Sequence, residues 1–278
     1  MADELETGFK RILFGVPRGL TNEPAARLAA EFAQLLNVQL FGLFVEDVSG
    51  RALGELSFVR ELLALESRWS PIDPARLAEQ GELAARRACR QFREAVRSVH
   101  PNLRFEIVRG DPAVALAAGT AAGDIVILAE PEYGGLFSQS WEELTEAAFT
   151  ARASVMLVPN RVLSQRGPVI AIAKHPDEAS VKTALAIASL AKSELVIVDV
   201  GEGEFDGQEI IAGARESGTP IQIARSSAST LTAGAMPVSG LDHAKERIVV
   251  IGRGTLLQTD AHAIAFRRRT PVLVTNVG

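Results

Sequence analysis

The strongest constraint on the fold is a unit that occurs twice: an apolar strand, a glycine turn, a helix and a second apolar strand. Near the C-terminus, the apolar run 248–251 ends at a Gly-Arg-Gly-Thr turn, and a helical segment leads on to the apolar run 271–275. The same order links the apolar runs 124–128 and 154–158. Short β-branched runs of this kind are typical of parallel strands covered on both faces.

Apolar and helical segments alternate along both halves of the chain. The predicted strands lie at 11–16, 38–45, 103–108, 124–128 and 154–158, and again at 169–173, 195–200, 221–224, 248–251 and 271–275. Strands that alternate with helices form a parallel sheet with helices on both faces. The sequence therefore predicts an α/β fold with two tandem Rossmann-like domains, residues 1–160 and 168–278. Each domain is expected to have a five-stranded parallel sheet flanked by helices.

The first half carries a long segment, 46–74, between its second and third predicted strands. A helix is predicted at 53–65, where leucine is frequent. The apolar residues of this segment are Leu53, Leu56, Phe58, Val59, Leu62, Leu63 and Leu65. Exposed together, they would form a large apolar patch. We therefore expect the segment to pack against the second domain or against another chain.

Composition argues against several classes of function. The one cysteine, Cys89, excludes an intramolecular disulfide, argues against a cysteine-based zinc site and fits a cytoplasmic protein. The acidic residues 1–6 lack the apolar core of a signal peptide. No apolar stretch reaches the ~20 residues that span a bilayer. A net charge of −5 is not the basic excess of a nucleic-acid binder, so no membrane or nucleic-acid partner is expected.

Two further patterns concern partners and metals. Arg86, Arg90, Arg93 and Arg97 form one stripe of the long helix predicted from about 74 to 99. This stripe is either a solvated face or a surface for an acidic partner. The histidines, His100, His175, His243 and His262, lack metal-ligand spacing, so no metal site is predicted.

Several short motifs resemble the universal stress protein family. Residues 108–113 and 123–128 resemble the middle of its domain, where Gly-x-Pro opens a helix that leads to an Asp-Leu-Ile-Val-Met-Gly strand. Residues 154–159 and 270–274 resemble its last strand, Cys-Pro-Val-Leu-Val. Because these motifs cover both halves, the chain is similar to a tandem, two-domain member.

The resemblance implies more than the residues alone do. It implies a fold of the adenine nucleotide alpha hydrolase-like type and a regulatory role in the stress response. It also implies that the last strands of the two halves pair about a pseudo-two-fold axis, which imitates the family's homodimer. A homodimer of the whole chain is a further expectation.

The nucleotide motif of the family is incomplete in the first half. In nucleotide-binding members, the first strand ends in an aspartate near the adenine, and Gly-x2-Gly-x9-Gly-(Ser/Thr) follows the fourth strand. The aspartate position falls on Pro17 in the first half and on Lys174 in the second. Glu142 and Glu143 stand where the first half would need Gly-(Ser/Thr), and carboxylates there would repel phosphate. The first half is therefore not expected to bind ATP in the manner of the family.

The second half keeps Gly252, Gly254, Thr255 and Thr259, but its loop is shorter than that of the family. One interpretation of this stretch is a tight strand-to-helix turn. The other is a remnant anion site at a helix N-terminus, with Lys174 contributing from a strand exit, where ligands of α/β sheets bind. ATP or another small anion is therefore the candidate ligand of the second domain, and no cofactor is certain.

The sequence contains no visible set of nucleophile, base and orienting residue. It therefore favours a regulatory or binding protein without a catalytic centre. One alternative is a nucleotide-binding protein or a weak ATP hydrolase that uses the second domain, and another is a purely structural interaction module whose pockets are closed. At the start of that domain, Asp177 is predicted to cap the helix that follows Lys174.

Overall fold

The computed structural model of the chain describes residues 8–16, 22–46, 60–63, 68–71, 73–99, 103–130, 136–162, 166–203, 205–234 and 246–276. The first-half strands are β1 (Arg11–Val16), β2 (Gln39–Glu46), β3 (Arg60–Leu63), β4 (Arg68–Pro71), β5 (Arg104–Arg109), β6 (Asp124–Ala129) and β7 (Ser154–Val158). The first-half helices are α1 (Glu23–Leu35), α2 (Pro74–Val96), α3 (Pro112–Gly119) and α4 (Leu136–Thr150).

The second half repeats the alternation. Its strands are β8 (Val169–Ala173), β9 (Leu195–Asp199), β10 (Ile221–Arg225), β11 (Ile248–Gly252) and β12 (Val272–Thr275). Its helices are α5 (Ala179–Ala191), α6 (Gln208–Glu216), α7 (Ala228–Thr232) and α8 (Gln258–Arg268).

The two halves share one strand order. The main sheet runs β10-β9-β8-β11-β12-β7-β6-β1-β2-β5, so each half contributes five parallel strands with its first strand in the middle. The second half has the same parallel pairings. This is the strand order of a Rossmann-like half. The predicted fold class, two tandem five-stranded units flanked by helices, is confirmed.

The two five-stranded units are not separate sheets. β7 and β12 pair antiparallel, with Met156 opposite Leu273, so ten strands form one continuous sheet. The pairing of the last strands that the resemblance implied is therefore present. It satisfies backbone donors and acceptors that two open edges would leave exposed. The predicted domain limits, 1–160 and 168–278, remain a prediction.

Helices cover both faces of the sheet, and each face has its own apolar core. On one face α1, α2, α5 and α6 pack against the strands, and on the other face α3, α4, α7 and α8 do so. Strands β6 to β9 and β12 are buried along their whole length or nearly so, because they are covered on both sides. Both cores run across the junction between the halves.

The helix predicted at 53–65 is wrong in the part that the structure describes. Residues 60–63 form β3, which pairs antiparallel with β4, Arg60 opposite Pro71. The periodicity of a short apolar run does not distinguish a strand from a helix. Here the antiparallel pairing with β4 makes the run a strand. The remainder of the predicted helix, and most of the segment expected to pack on the second domain, lie outside the described residues.

Among the described residues, no helix has the length and apolar character that crossing a membrane requires.

Candidate functional site

The second half has an open cleft at the carboxyl ends of β8, β11 and β12. Its volume is about 440 Å³. It lies at the point where the strand order of the half reverses, which is where open α/β sheets bind ligands. The lining residues are Lys174, Glu178, Ala179, Ser180, Gly252, Arg253, Gly254, Thr255, Thr275 and Asn276.

The structure brings four of the five predicted site residues to this cleft. Lys174 follows β8, whereas Gly252, Gly254 and Thr255 form the turn that follows β11. Thr259 is exposed in the first turn of α8 and is not among the residues that line the cleft. The Lys174 side chain is exposed at the rim.

The polar donors of the cleft converge on one carboxylate, that of Glu178. Its Oε1 accepts the backbone N–H of Lys174 at 2.6 Å and that of His175 at 3.1 Å. Its Oε2 accepts the hydroxyls of Thr255 at 2.8 Å and Ser180 at 3.3 Å. Thr255 lies 77 residues along the chain from Glu178, so spacing in the sequence did not point to this contact.

Gly252 makes this close approach possible. A Cβ added to Gly252 would lie 2.9 Å from the Thr255 Oγ1 and 3.1 Å from the Glu178 Oε2. Such distances are too short for a methyl group, so a larger residue would push the carboxylate or the hydroxyl away. Gly254 has a φ of 90°, which favours glycine at the tip of the turn. The local geometry therefore favours glycine at both positions, through close contacts at Gly252 and a positive φ at Gly254.

Two backbone amides of the turn are used within the fold. The Arg253 N–H donates to the Thr275 carbonyl at 2.9 Å, and the Thr255 N–H donates to the Gly252 carbonyl at 3.0 Å. Only residues 253–257 connect β11 to α8. The first predicted interpretation, a tight strand-to-helix turn, describes this geometry.

The Arg253 guanidinium reaches the first half of the chain. Its Nη1 donates to the carbonyls of Phe149 at 2.5 Å and Ala151 at 2.8 Å, and its Nη2 donates to the carbonyl of Ala153 at 2.7 Å. These carbonyls lie at and just beyond the C-terminus of α4, where a cation is favourable. Burial lowers the pKa of Arg253 from its ordinary value, yet a guanidinium stays protonated in proteins. Arg253 therefore links the two halves.

Asn276 forms a second link between the cleft and the first half. Its backbone N–H donates to the Ser154 Oγ at 3.1 Å, and its side-chain amide donates to the Arg152 carbonyl at 2.7 Å. Asn276 also lines the cleft. The cleft and the junction between the halves therefore share residues.

The corresponding position in the first half has different chemistry. Glu130 donates its N–H to the Val158 carbonyl at 2.8 Å, as Arg253 does to Thr275, so a carboxylate stands where the second half has a guanidinium. The Glu130 Oε2 accepts the Asn160 N–H at 3.0 Å. The Trp141 indole donates to the carbonyl of Ala129, the last residue of β6, at 3.0 Å.

The acidic pair predicted to repel phosphate in the first half lies on α4. Glu142 and Glu143 are both exposed there. Pro17, at the first-half aspartate position, lies outside the described residues. The Trp141 indole and the Glu130 carboxylate thus lie at the end of β6, which fits poorly with a bound phosphate.

An aromatic cluster lies between α4 and α8, where the halves meet on the second face of the sheet. The His262 ring lies 5.5 Å from that of Trp141, 5.9 Å from that of Phe149 and 5.7 Å from that of Phe266, measured between centroids. Its Nε2 is buried and has no hydrogen-bond partner among the described residues. Burial lowers the pKa of His262, so the ring is neutral in the fold near neutral pH.

A side chain of the protein itself lies among the polar donors of the cleft. The position of an oxyanion between the Lys174 amide and the Thr255 hydroxyl is taken by the Glu178 carboxylate. The connection between β11 and α8 is short, residues 253–257, and the amides of Arg253, Thr255 and Leu257 are already hydrogen-bonded. Over the part of the chain that the structure describes, no group of three or more His, Cys, Asp or Glu residues could hold a metal ion.

Solved structures show which known fold this arrangement repeats. A universal stress protein from Archaeoglobus fulgidus DSM 4304 matches with a TM-score of 0.66 and 14% identity, over 99% of this chain and 98% of that chain. A functionally unknown protein from Pseudomonas aeruginosa PAO1 matches with a TM-score of 0.50 and 16% identity, over 98% and 94%. No protein-family model and no curated protein matches the chain. The chain therefore has the fold of a universal stress protein, as the resemblance predicted.

Proposed function

We propose that the chain is a non-enzymatic regulatory protein of the universal stress protein type that works without bound ATP. The observation that carries this proposal is the use of the Gly252–Thr255 turn as part of the junction between the halves. Arg253, in the middle of that turn, donates three hydrogen bonds to carbonyls of the first half. The turn that would bind a nucleotide's phosphates instead holds the tandem repeat together.

The contacts that remain are too few for a nucleotide. Micromolar affinity needs about 8 kcal/mol of binding free energy. A hydrogen bond to a charged group contributes roughly 1.5–3 kcal/mol, and a neutral one about 1 kcal/mol. The Lys174 ammonium and an amide or two of the turn would supply only part of this sum. Displacing the Glu178 carboxylate from its four donors would offset part of that binding free energy.

The fold best supports an arrangement in which each half is the partner of the other. β7 and β12 pair, both apolar cores are continuous, and Arg253 and Asn276 bridge the junction. We propose that the chain acts in the cytoplasm as a pseudo-dimer of its own two units, and that it affects other proteins by contact rather than by catalysis. The arginine stripe at the C-terminal end of α2 is one candidate surface, because Arg86, Arg90 and Arg93 are exposed on the helix and Arg97 is exposed just after its end.

The test is isothermal titration of the purified chain with ATP and with ADP, each with and without magnesium. We expect no saturable binding with a dissociation constant below about ten micromolar, the affinity range that the few remaining contacts do not reach. Tighter binding that is lost in Gly252→Glu would show that the second half is a working nucleotide site. In that event the alternative function, a nucleotide binder or weak ATP hydrolase of the second domain, would replace the proposal.

A further inference from the structure

We propose that Glu178 is a built-in occupant of the cleft, an autoinhibitory contact whose removal opens the cleft to an external oxyanion. The proposal rests on the proposed function, because it explains why a cleft at the expected place binds no nucleotide. It goes further in one respect. It claims that the donors of the cleft are intact and that a single side chain keeps them from a ligand.

The first argument is the direction in which the Glu178 side chain points. Glu178 is the N-cap residue of α5, yet its side chain makes no capping hydrogen bond to that helix. An N-cap side chain ordinarily accepts an N–H from the first turn of its own helix. Here the carboxylate turns back instead and accepts the amides of Lys174 and His175, which precede the helix. The carboxylate therefore accepts backbone amides from the cleft and none from the first turn of α5.

The second argument is that one donor, Thr255, comes from a distant part of the chain and that both hydroxyl residues are buried. Thr255 is 8% exposed, and Ser180 is fully buried. Both hydroxyls donate to the same carboxylate oxygen, from the turn after β11 and from α5. Two hydroxyls and two amides around one carboxylate form a complete oxyanion site, and the ligand in it belongs to the chain itself.

The third argument is that the loop carrying Glu178 is fixed to the sheet. A Cβ on Gly201 would lie 2.5 Å from the Lys174 carbonyl oxygen, so the two backbones are in close contact. The Val200 N–H donates to the Ala173 carbonyl at 2.9 Å, immediately before the loop. The backbone of the cleft therefore keeps its shape when the Glu178 side chain is shortened.

Removal of the carboxylate leaves four donors and the exposed Lys174 ammonium around a free space. A site that its own occupant fills most of the time has an apparent affinity reduced by the fraction of time it is free. The affinity for a small oxyanion should therefore rise when the occupant is removed. Two variants of Glu178 test this. Glu178→Ala removes the carboxylate, and Glu178→Ser replaces it with a preferred N-cap residue, which protects the start of α5.

The experiment is a titration of each full-length variant with inorganic phosphate, followed by calorimetry and by phosphorus NMR. Circular dichroism and the urea midpoint establish that each variant is folded. We expect both Glu178 variants to bind phosphate at least tenfold more tightly than the wild type. Glu216→Ala, which removes an exposed carboxylate of the same half, should bind like the wild type. Adding Thr255→Val to Glu178→Ala should abolish the gain, because valine has the shape of threonine without its hydroxyl.

Two results would overturn the proposal. One is that folded Glu178 variants bind phosphate no more tightly than the wild type. The other is a gain that survives Thr255→Val, because the phosphate would then bind outside the cleft. Either result leaves the proposed function standing, since that is refuted by tight nucleotide binding to the wild type. The two ideas can therefore fail separately.

Discussion

Replacing Arg253 tests how the two halves are held together. Its guanidinium donates to the carbonyls of Phe149, Ala151 and Ala153, at 2.5–2.8 Å. A hydrogen bond from a charged donor contributes roughly 1.5–3 kcal/mol, but water will reach part of the vacated space. We therefore count about 1 kcal/mol for each bond, and expect Arg253→Ala to lower the free energy of unfolding by about 3 kcal/mol. Arg253→Lys should lose most of this, because an ammonium is a point donor without the reach of a guanidinium fork.

The assay is urea unfolding followed by tryptophan fluorescence in a Trp69→Phe background. Trp141 then reports alone, from α4 next to His262 of the other half. The matched control is Arg267→Ala, which removes an exposed arginine of α8 and should stay within about 0.5 kcal/mol of the wild type. If Arg253→Ala is as stable as Arg267→Ala, the three bonds do not hold the halves together and the argument is wrong.

Two further predictions concern pH and packing. Burial lowers the pKa of His262 below its ordinary value of 6.5, so the unfolded chain binds a proton on this ring more readily than the folded chain does. The contribution of His262 to the free energy of unfolding should therefore be fully present above pH 6.5 and be lost progressively as the pH falls below it. His262→Phe should flatten this part of the pH profile in urea titrations, and an unchanged slope would contradict it. Gly42→Ala should cost roughly 1–3 kcal/mol, because its Cβ would lie 2.7 Å from the rings of Phe92 and Phe105. Gly15→Ala is the matched control within a strand, since its nearest contact would be 3.8 Å, and an equal loss in both variants would refute the packing argument.

The strands and their order could be predicted because they depend on local patterns. Runs such as 124–128 and 248–251 are buried on both faces, and this burial requires the continuous apolar sequence by which they are recognised. The pairing of β7 with β12 depended on the resemblance, since nothing in either strand alone specifies its partner. The helix prediction was wrong at 60–63 because the apolar residues there suit a helix and a strand equally.

The candidate site was predicted only in outline. Glycine at a strand exit pointed to Gly252 and Gly254, and Lys174 was found by its place after β8. Glu178 was missed, because its contact with Thr255 joins residues that only the folded sheet brings together. Asp177 was predicted to cap α5, whereas Glu178 is the N-cap residue and its carboxylate faces the cleft.

The role of Arg253 was also beyond the sequence. Its partners lie 100 to 104 residues earlier in the chain, so no local pattern relates them. The signal available was an arginine between two glycines, which suits a phosphate loop as well as a link between repeats. Only the pairing of β7 with β12 places the end of α4 within reach of this side chain.

Mass spectrometry of the small molecules released from the purified and denatured chain tests the central claim most directly. The claim is that the cleft of the second half is filled by Glu178 and not by a nucleotide. We predict that no adenine nucleotide is released in amounts approaching one per chain. Release of ATP or ADP at close to one per chain, from wild-type protein but not from Gly252→Glu, would contradict the account.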